Sequence, residues 1–150
     1  LFAYLTTLHV TAPTIISSAA SIVLTADIIH DLKEEIPDIE TMRRHIKQAQ
    51  QWNIKLDNEQ IGFALFHWLW DEMYKIHASP TNPAAMERIC NVLTPFMDDF
   101  KWQVSLYEAQ NLYHTTKNEF YQELVRASPE VRSSFFKLGK RLRFSEEALL

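Results

Sequence analysis

Glycine is almost missing from this chain: two residues in 150. That excludes the glycine-rich loops that let a backbone cradle a phosphate, and it removes the tight left-handed turns on which hairpins depend. Cysteine is rarer still. Cys90 stands alone, so there is no internal disulfide and no CxxC pair to hold zinc. A lone thiol and mild charge fit a reducing compartment. An excess of cations is also lacking. The formal net charge is −4, with 15 Lys and Arg against 19 Asp and Glu, which argues against general affinity for nucleic acid or anionic lipid.

Residues 1–26 carry no Asp, Glu, Lys or Arg. A membrane span needs ~20 predominantly apolar residues. Here Thr6, Thr7, His9, Thr11, Thr14, Ser17, Ser18 and Ser21 interrupt the run, and Pro13 divides it. A Lys/Arg-rich start of a signal peptide is lacking as well. The region reads as two helices packed against protein, not as a membrane span. The chain opens on "LFAYL", inside what reads as a helix, and closes on "SEEALL", which reads as the start of another. The expectation is a single all-α domain over 1–150, the C-terminal part of something longer.

What is present supports that class. The hydrophobic content is 47%, the aromatic content 12% and the charged content 23%, ordinary globular values. Long windows repeat near 3.6 residues, which predicts an antiparallel helical bundle or array of about six to seven helices. Pro13 opens a helix to about Glu35, with Ile15, Ile22 and Ile29 along one side. Asp38 caps a helix through Trp52. Asp57 with Gln60 has capping-box spacing before the next helix. Asn82 caps a helix that has Pro83 in its first turn and runs to Asp99, with a kink at Pro95. "FKWQV" reads as a short extended connection. Ser105 with Glu108 forms a second capping box, opening a helix to about Arg126, and Ser128-Pro129-Glu130 starts the last clear helix.

The densest candidate for chemistry is "FALFHWLWDEMYKIH", residues 63–77. On a helix, His67, Asp71 and Lys75 share one face at intervals of four. The remaining directions are mostly apolar, so the helix should be largely buried, with that stripe as its wet seam and an Asp71–Lys75 ion pair on it. Glu72 points about 100° away from Asp71, so the two acids are not a paired-carboxylate site. His67 and Asp71 could grip a metal from one face, but a site needs at least three protein ligands. His9, His30, His45 and His114 are scattered over other helices, and His77 closes this one. No metal or cofactor is expected. Trp68 and Trp70 could stack on sugar rings in a cleft, although large aromatic residues more often anchor helix packing.

Other polar features read as surface. Cys90, in "MERICNVL", is a buried structural thiol without a neighbour to activate it. Asp98-Asp99 and Glu146-Glu147 are solvated ends. The basic run "KLGKRLR", residues 137–143, could meet a phosphate or an acidic partner, but cations near a helix C-terminus are favoured by the dipole anyway. "SLYEAQNLYHTTKNEF" is harder to dismiss. Ala109, Leu112, Thr116 and Phe120 mark its apolar stripe, and Gln110 and Asn111 sit at the stripe's edge beside Tyr107 and Tyr113. Amides there either hold a loop through its backbone carbonyls or face a ligand cleft. The loop is preferred, since most side-chain hydrogen bonds go to backbone.

At this point a family resemblance enters. "FKWQVSLYEAQNLYHTT", preceded by "NPAAMERICNVLTPFMDDF", resembles the end of the helical domain that follows the catalytic domain in bacterial proteins related to glycoside hydrolase family 57. "IETMRRHIKQAQQWNIKLDNEQI" and "APTIISSAASIVLTADI" are similar to earlier parts of that domain. The likeness covers most of residues 13–142, and Tyr107 stands where the pattern calls for Trp. The resemblance implies a cytoplasmic protein that hydrolyses or transfers α-glucan chains. Its Glu nucleophile and Asp acid/base belong to a barrel whose motifs are not in this sequence, so no catalytic residue carries over. This chain would be the non-catalytic companion, with the upstream catalytic domain as its partner and α-glucan as a further contact. The alternative is an all-α protein–protein interaction module without enzymatic role.

Overall fold

Four helix starts in this chain are set by short polar side chains reaching orphan amides. The computed structural model describes residues 1–8 and 13–149, and His9 and Thr11 lie outside the described residues. It is all-α, with no strand among the described residues. The chain divides into two compact units, Leu1–Leu65 and Phe66–Leu150.

The first unit holds α1 (Phe2–Thr7), α2 (Thr14–Lys33), α3 (Ile39–Gln51) and the opening turns of α4 (Asn58–Ala78). The Asp38 carboxylate accepts from the amides of Glu40 and Thr41, both at 3.1 Å, and so caps α3. Asp57 accepts from the Gln60 amide at 3.0 Å and caps α4. The Gln60 side chain bonds the Asp57 carboxylate itself, at 2.7 Å, and does not reach back to the backbone as a full capping box would. α3 buries Met42, Ile46 and Ala49, one stripe at intervals of four and three, and α2 buries Leu24, Thr25, Ile28 and Leu32. The segment 54–57 is tied to α2 by polar bonds: Ser21 Oγ donates to the Lys55 carbonyl at 2.5 Å, and the Asp57 amide donates to Thr25 Oγ1 at 3.1 Å. Asn53 ends α3 in the left-handed region, φ 52°, where Asn is tolerated and the Ile54 amide can return to the Ala49 carbonyl at 2.8 Å. Phe2 of α1 stacks on Trp52, ring centres 5.2 Å apart.

The caps carry a pH dependence. Hydrogen bonds from Thr41 hold the Asp38 carboxyl below the usual carboxylate range, and those from Gln60 do the same for Asp57. A group whose folded-state pKa is depressed contributes stability that is complete above its unfolded value, about 4. That contribution is lost as pH falls through this value toward the lower folded one. The thermal midpoint, followed by circular dichroism from about pH 6 down to about pH 3, should therefore fall. In the Asp38→Asn/Asp57→Asn double variant, whose caps do not titrate, the fall should be shallower.

The second unit holds the rest of α4, then α5 (Pro83–Thr94), a π-helical turn (Pro95–Asp99), α6 (Tyr107–Glu119), α7 (Tyr121–Arg126), α8 (Pro129–Arg141) and α9 (Glu146–Leu149). Asn82 caps α5 through the Ala85 amide, and Ser128 caps α8 through the Val131 amide. The expected kink at Pro95 is a widened turn. Proline has no amide to continue the ladder, and the Phe100 amide closes onto the Pro95 carbonyl five residues back at 3.0 Å.

Three expectations are corrected here. Ser105 does not cap α6: the N-cap position is Leu106, with no side-chain bond to the helix. The helix expected to reach Arg126 breaks at Phe120, which sits at φ −107°, ψ 21° between α6 and α7. The buried stripe of α6 is Ala109, Tyr113 and Thr116, whereas Leu112 and Phe120 are only half-buried.

α8 leaves the fold through Arg143, a non-glycine residue at φ 66° with the Phe144 amide returning to the Gly139 carbonyl at 3.0 Å. This is the position where glycine is the usual choice, and an L side chain there costs about 1 kcal/mol.

Candidate functional site

The polar residues of the second unit gather into small groups. Glu72 of α4 is 2% exposed. Its two oxygens are occupied separately, by Lys75 Nζ at 2.5 Å and Arg88 Nη1 at 3.3 Å. The Lys75 ammonium thus goes to Glu72 and not to Asp71 as the sequence suggested, because the three-residue step leads to a desolvated acid that needs a partner. Glu72 links α4 to α5. With a cation on each oxygen and almost no solvent exposure, it serves as a link between helices.

A second group resembles a hydrolytic triad. His77 Nδ1 lies 2.9 Å from Thr116 Oγ1, and His77 Nε2 lies 3.5 Å from Glu119 Oε2. The proton runs the wrong way for catalysis. Thr116 Oγ1 donates to the Leu112 carbonyl at 2.7 Å, so the imidazole must donate to the hydroxyl and cannot take its proton. Thr116 is also fully buried. The group locks the C-terminal end of α4 to α6. In the first unit, His45 Nδ1 of α3 faces Asp31 Oδ2 of α2 at 3.3 Å, a close polar contact that lacks hydrogen-bond geometry. Among the described residues, no three His, Cys, Asp or Glu side chains come together as a metal site requires.

The seven residues singled out from the sequence are not gathered into one place. Gln110 Nε2 donates to the Leu142 carbonyl at 2.7 Å, fixing the chain as it leaves α8. Asn111 and Tyr107 are exposed. His67 and Asp71 are exposed on α4, and Trp68 and Trp70 are half-buried, with Trp70 set edge-on to Tyr74 at 4.8 Å. None of the seven lines the clefts beside Ser21, Cys90 or Tyr113. α4 is not buried on most sides. It covers one stripe, Ile61, Leu65, Leu69, Met73 and Ile76, and leaves Phe63 68% exposed. Two further expectations change: Asp98 is paired with Arg141 at 2.7 Å, and Glu146 with Lys140, so these acids are not merely solvated ends.

The feature that remains without a structural purpose is the outer side of α2. Ile15, Ile22 and Val23 are 79%, 71% and 56% exposed, and residues 14–26 of that helix have no charged side chain. The isoleucine line noted in the sequence points away from the core. Its members are separated by seven residues, and the buried positions fall on another side. By length and mean hydropathy, 1.5, α2 could cross a membrane, and 22% of that window is buried. Its inner side, however, is committed to α3 and to the 54–57 segment through the Asp31–His45 and Thr25–Asp57 contacts. What α2 offers is a one-sided apolar surface of the kind that marks an interface with protein. Comparison with protein-family models, curated proteins and solved structures gives no match.

Proposed function

We propose that this chain is a non-catalytic helical domain that works by packing the outer side of α2 on another polypeptide. The partner fitting the sequence resemblance is the catalytic barrel of a cytoplasmic, α-glucan-active enzyme of the family 57 type. The observation carrying the reading is the exposure of Ile15, Ile22 and Val23 on a helix half without a charge. Such a surface gains roughly 25 cal/mol for each Å² of apolar area it covers. A second reading, an interaction module with no enzymatic partner, is favoured by one detail. The Gln110 amide holds the Leu142 carbonyl, the loop-anchoring role and not the cleft-facing one.

The test is association with a family 57 catalytic barrel supplied as a separate polypeptide, measured by calorimetry. Binding should weaken at least tenfold in Ile15→Glu/Ile22→Glu, the scale of losing two interface anchors, roughly 2 kcal/mol or more. The helical signal should stay unchanged, since both side chains are already in solvent. A barrel that ignores the wild-type chain removes the glucan-enzyme reading, and a variant that binds as the wild type does removes the α2 surface.

A further inference from the structure

A cleft of about 540 Å³ lies between the end of α5 with its π turn and the C-terminal half of α8. Lys137, Lys140, Arg141 and Arg143 line it, facing a single carboxylate, Asp98. Four cations against one acid is a local reversal of sign in a chain of net charge −4. Helical spacing explains how the first three share a side, since positions 137, 140 and 141 are separated by three and four residues. It does not explain why they are cations.

The helix dipole accounts for part of the group. Lys140 and Arg141 sit in the last turn of α8, where positive charge is favoured. Lys140 also pairs with Glu146 and lies over the Phe136 ring at 5.1 Å. Lys137 lies a turn earlier, and Arg143 lies beyond the helix end in the strained left-handed conformation where glycine would sit more easily. Neither has a carboxylate partner among the described residues. Arg141 is held in place: Nη1 donates to Asp98 at 2.7 Å and Nη2 to Thr94 Oγ1 at 3.2 Å, while Thr94 itself is tied to the Cys90 carbonyl at 2.8 Å. A fixed guanidinium with two uncompensated cations beside it is an arrangement that receives an oxyanion.

We infer that this cleft binds a small phosphorylated ligand, the phosphate seated among Lys137, Arg141 and Arg143 and a compact apolar body against Cys90 and Met97. Its volume is that of a small-molecule pocket. The charge is confined to one helix end, which suits a monoester better than a nucleic-acid strand, whose binding follows a longer basic track.

Cys90, the chain's only cysteine, is half-buried along the cleft and not fully buried as expected; burial pushes its thiol pKa up and slows alkylation, and the remaining rate reports occupancy. The probes are inorganic phosphate and phenyl phosphate, titrated calorimetrically into the whole chain. Both should bind saturably, with phenyl phosphate tighter, and phenyl phosphate should slow Cys90 alkylation as it saturates. Lys137→Gln should weaken binding roughly tenfold, the worth of one charge-assisted contact. Arg143→Gly should do the same while raising the thermal midpoint, because glycine relieves the backbone there. Loss of affinity in a protein that has become more stable cannot be blamed on unfolding. The proposal is overturned by any of four results: no saturation, an equal response to chloride at matched ionic strength, tighter binding of a single-stranded oligonucleotide than of phenyl phosphate, or unchanged affinity in Arg143→Gly.

Discussion

Gly139→Ala should destabilise the protein by about 2 kcal/mol, although alanine is the better helix former by about 1 kcal/mol. A Cβ at residue 139 would lie 2.5 Å from Tyr113 Oη and 2.8 Å from Cζ, and would also meet the Leu149 side chain. Leu149 sits on the chain's last short helix and can turn aside. The tyrosine ring cannot. Its hydroxyl donates to the Phe135 carbonyl at 3.1 Å, and the ring is stacked between Phe135 and Phe144, with centres 4.4 and 5.0 Å away. Burial also pushes the phenol pKa up, so the hydroxyl stays a neutral donor at any working pH. The steric cost of about 3 kcal/mol therefore outweighs the propensity gain. At ~2–4 °C for each kcal/mol in a chain of this size, the thermal midpoint should drop by roughly 4–8 °C. Gly62→Ala is the control. Nothing lies within 4 Å of its added carbon, and it should gain about 0.5–1 kcal/mol. Placing Tyr113→Leu beneath Gly139→Ala should recover part of the loss, so that the double variant costs less than the sum of the two. A neutral Gly139→Ala would mean that α6 and α8 do not meet at this point.

The elements readable from sequence were those fixed by bonds spanning three residues. Asp38, Asp57, Asn82 and Ser128 each sit just before a helix, and each reaches an amide two or three positions on, whatever the rest of the chain does. Ser105 has the same spacing and is not used. There the Trp102 amide bonds the Phe96 carbonyl at 2.7 Å, the two rings pack at 5.5 Å, and Leu106 goes into the core, so distant packing sets where α6 begins. The break at Phe120 has a similar origin. A continuous period runs through residues 107–126, but Phe120 turns to meet the His77 ring at 5.5 Å, a contact between residues 43 positions apart. The apolar residues of α4 outnumber those that its neighbours cover: Ile61, Leu65, Leu69, Met73 and Ile76 are buried and Phe63 is not. A helix can be apolar on many sides while its neighbours cover one.

The polar groups divide along the same line. Gln110 was legible as a loop anchor, because an amide at the edge of an apolar stripe must find backbone, and Leu142 supplies it. The His77–Thr116–Glu119 group was not legible, since nothing in either helix's own pattern brings positions 77 and 116 together. The outward turn of Ile15, Ile22 and Val23 was only half legible. The uncharged run was visible, but which side α3 would cover depends on the Asp31–His45 and Thr25–Asp57 contacts. Glu72 did leave a signal that was passed over. It lies seven residues after Leu65 and three after Leu69, on the buried stripe of α4 and not on its wet seam.

That position makes Glu72 the most sensitive acid in the chain. Glu72→Lys should cost about 3–5 kcal/mol, because it buries a third cation against Lys75 and Arg88 and removes the carboxylate that both of them pair with. Glu72→Ala should cost less, about 2 kcal/mol, from two lost charged bonds and a small void. The partners remain partly in solvent and can hydrate when the carboxylate goes. For the same reason Glu72→Leu, which refills the volume, should come within about 1 kcal/mol of the wild type. The order Lys, Ala, Leu by urea midpoint is the decisive reading, since a merely exposed glutamate would give three nearly equal values. The exchanged pair Glu72→Lys/Arg88→Glu should recover part of the loss by restoring one opposite-charge contact between α4 and α5. Added salt should change the wild-type midpoint less than it would for a fully exposed pair, because the carboxylate is buried even though its cations reach solvent. A strong salt dependence, or a harmless Glu72→Lys, would place this carboxylate in solvent and dissolve the link between α4 and α5.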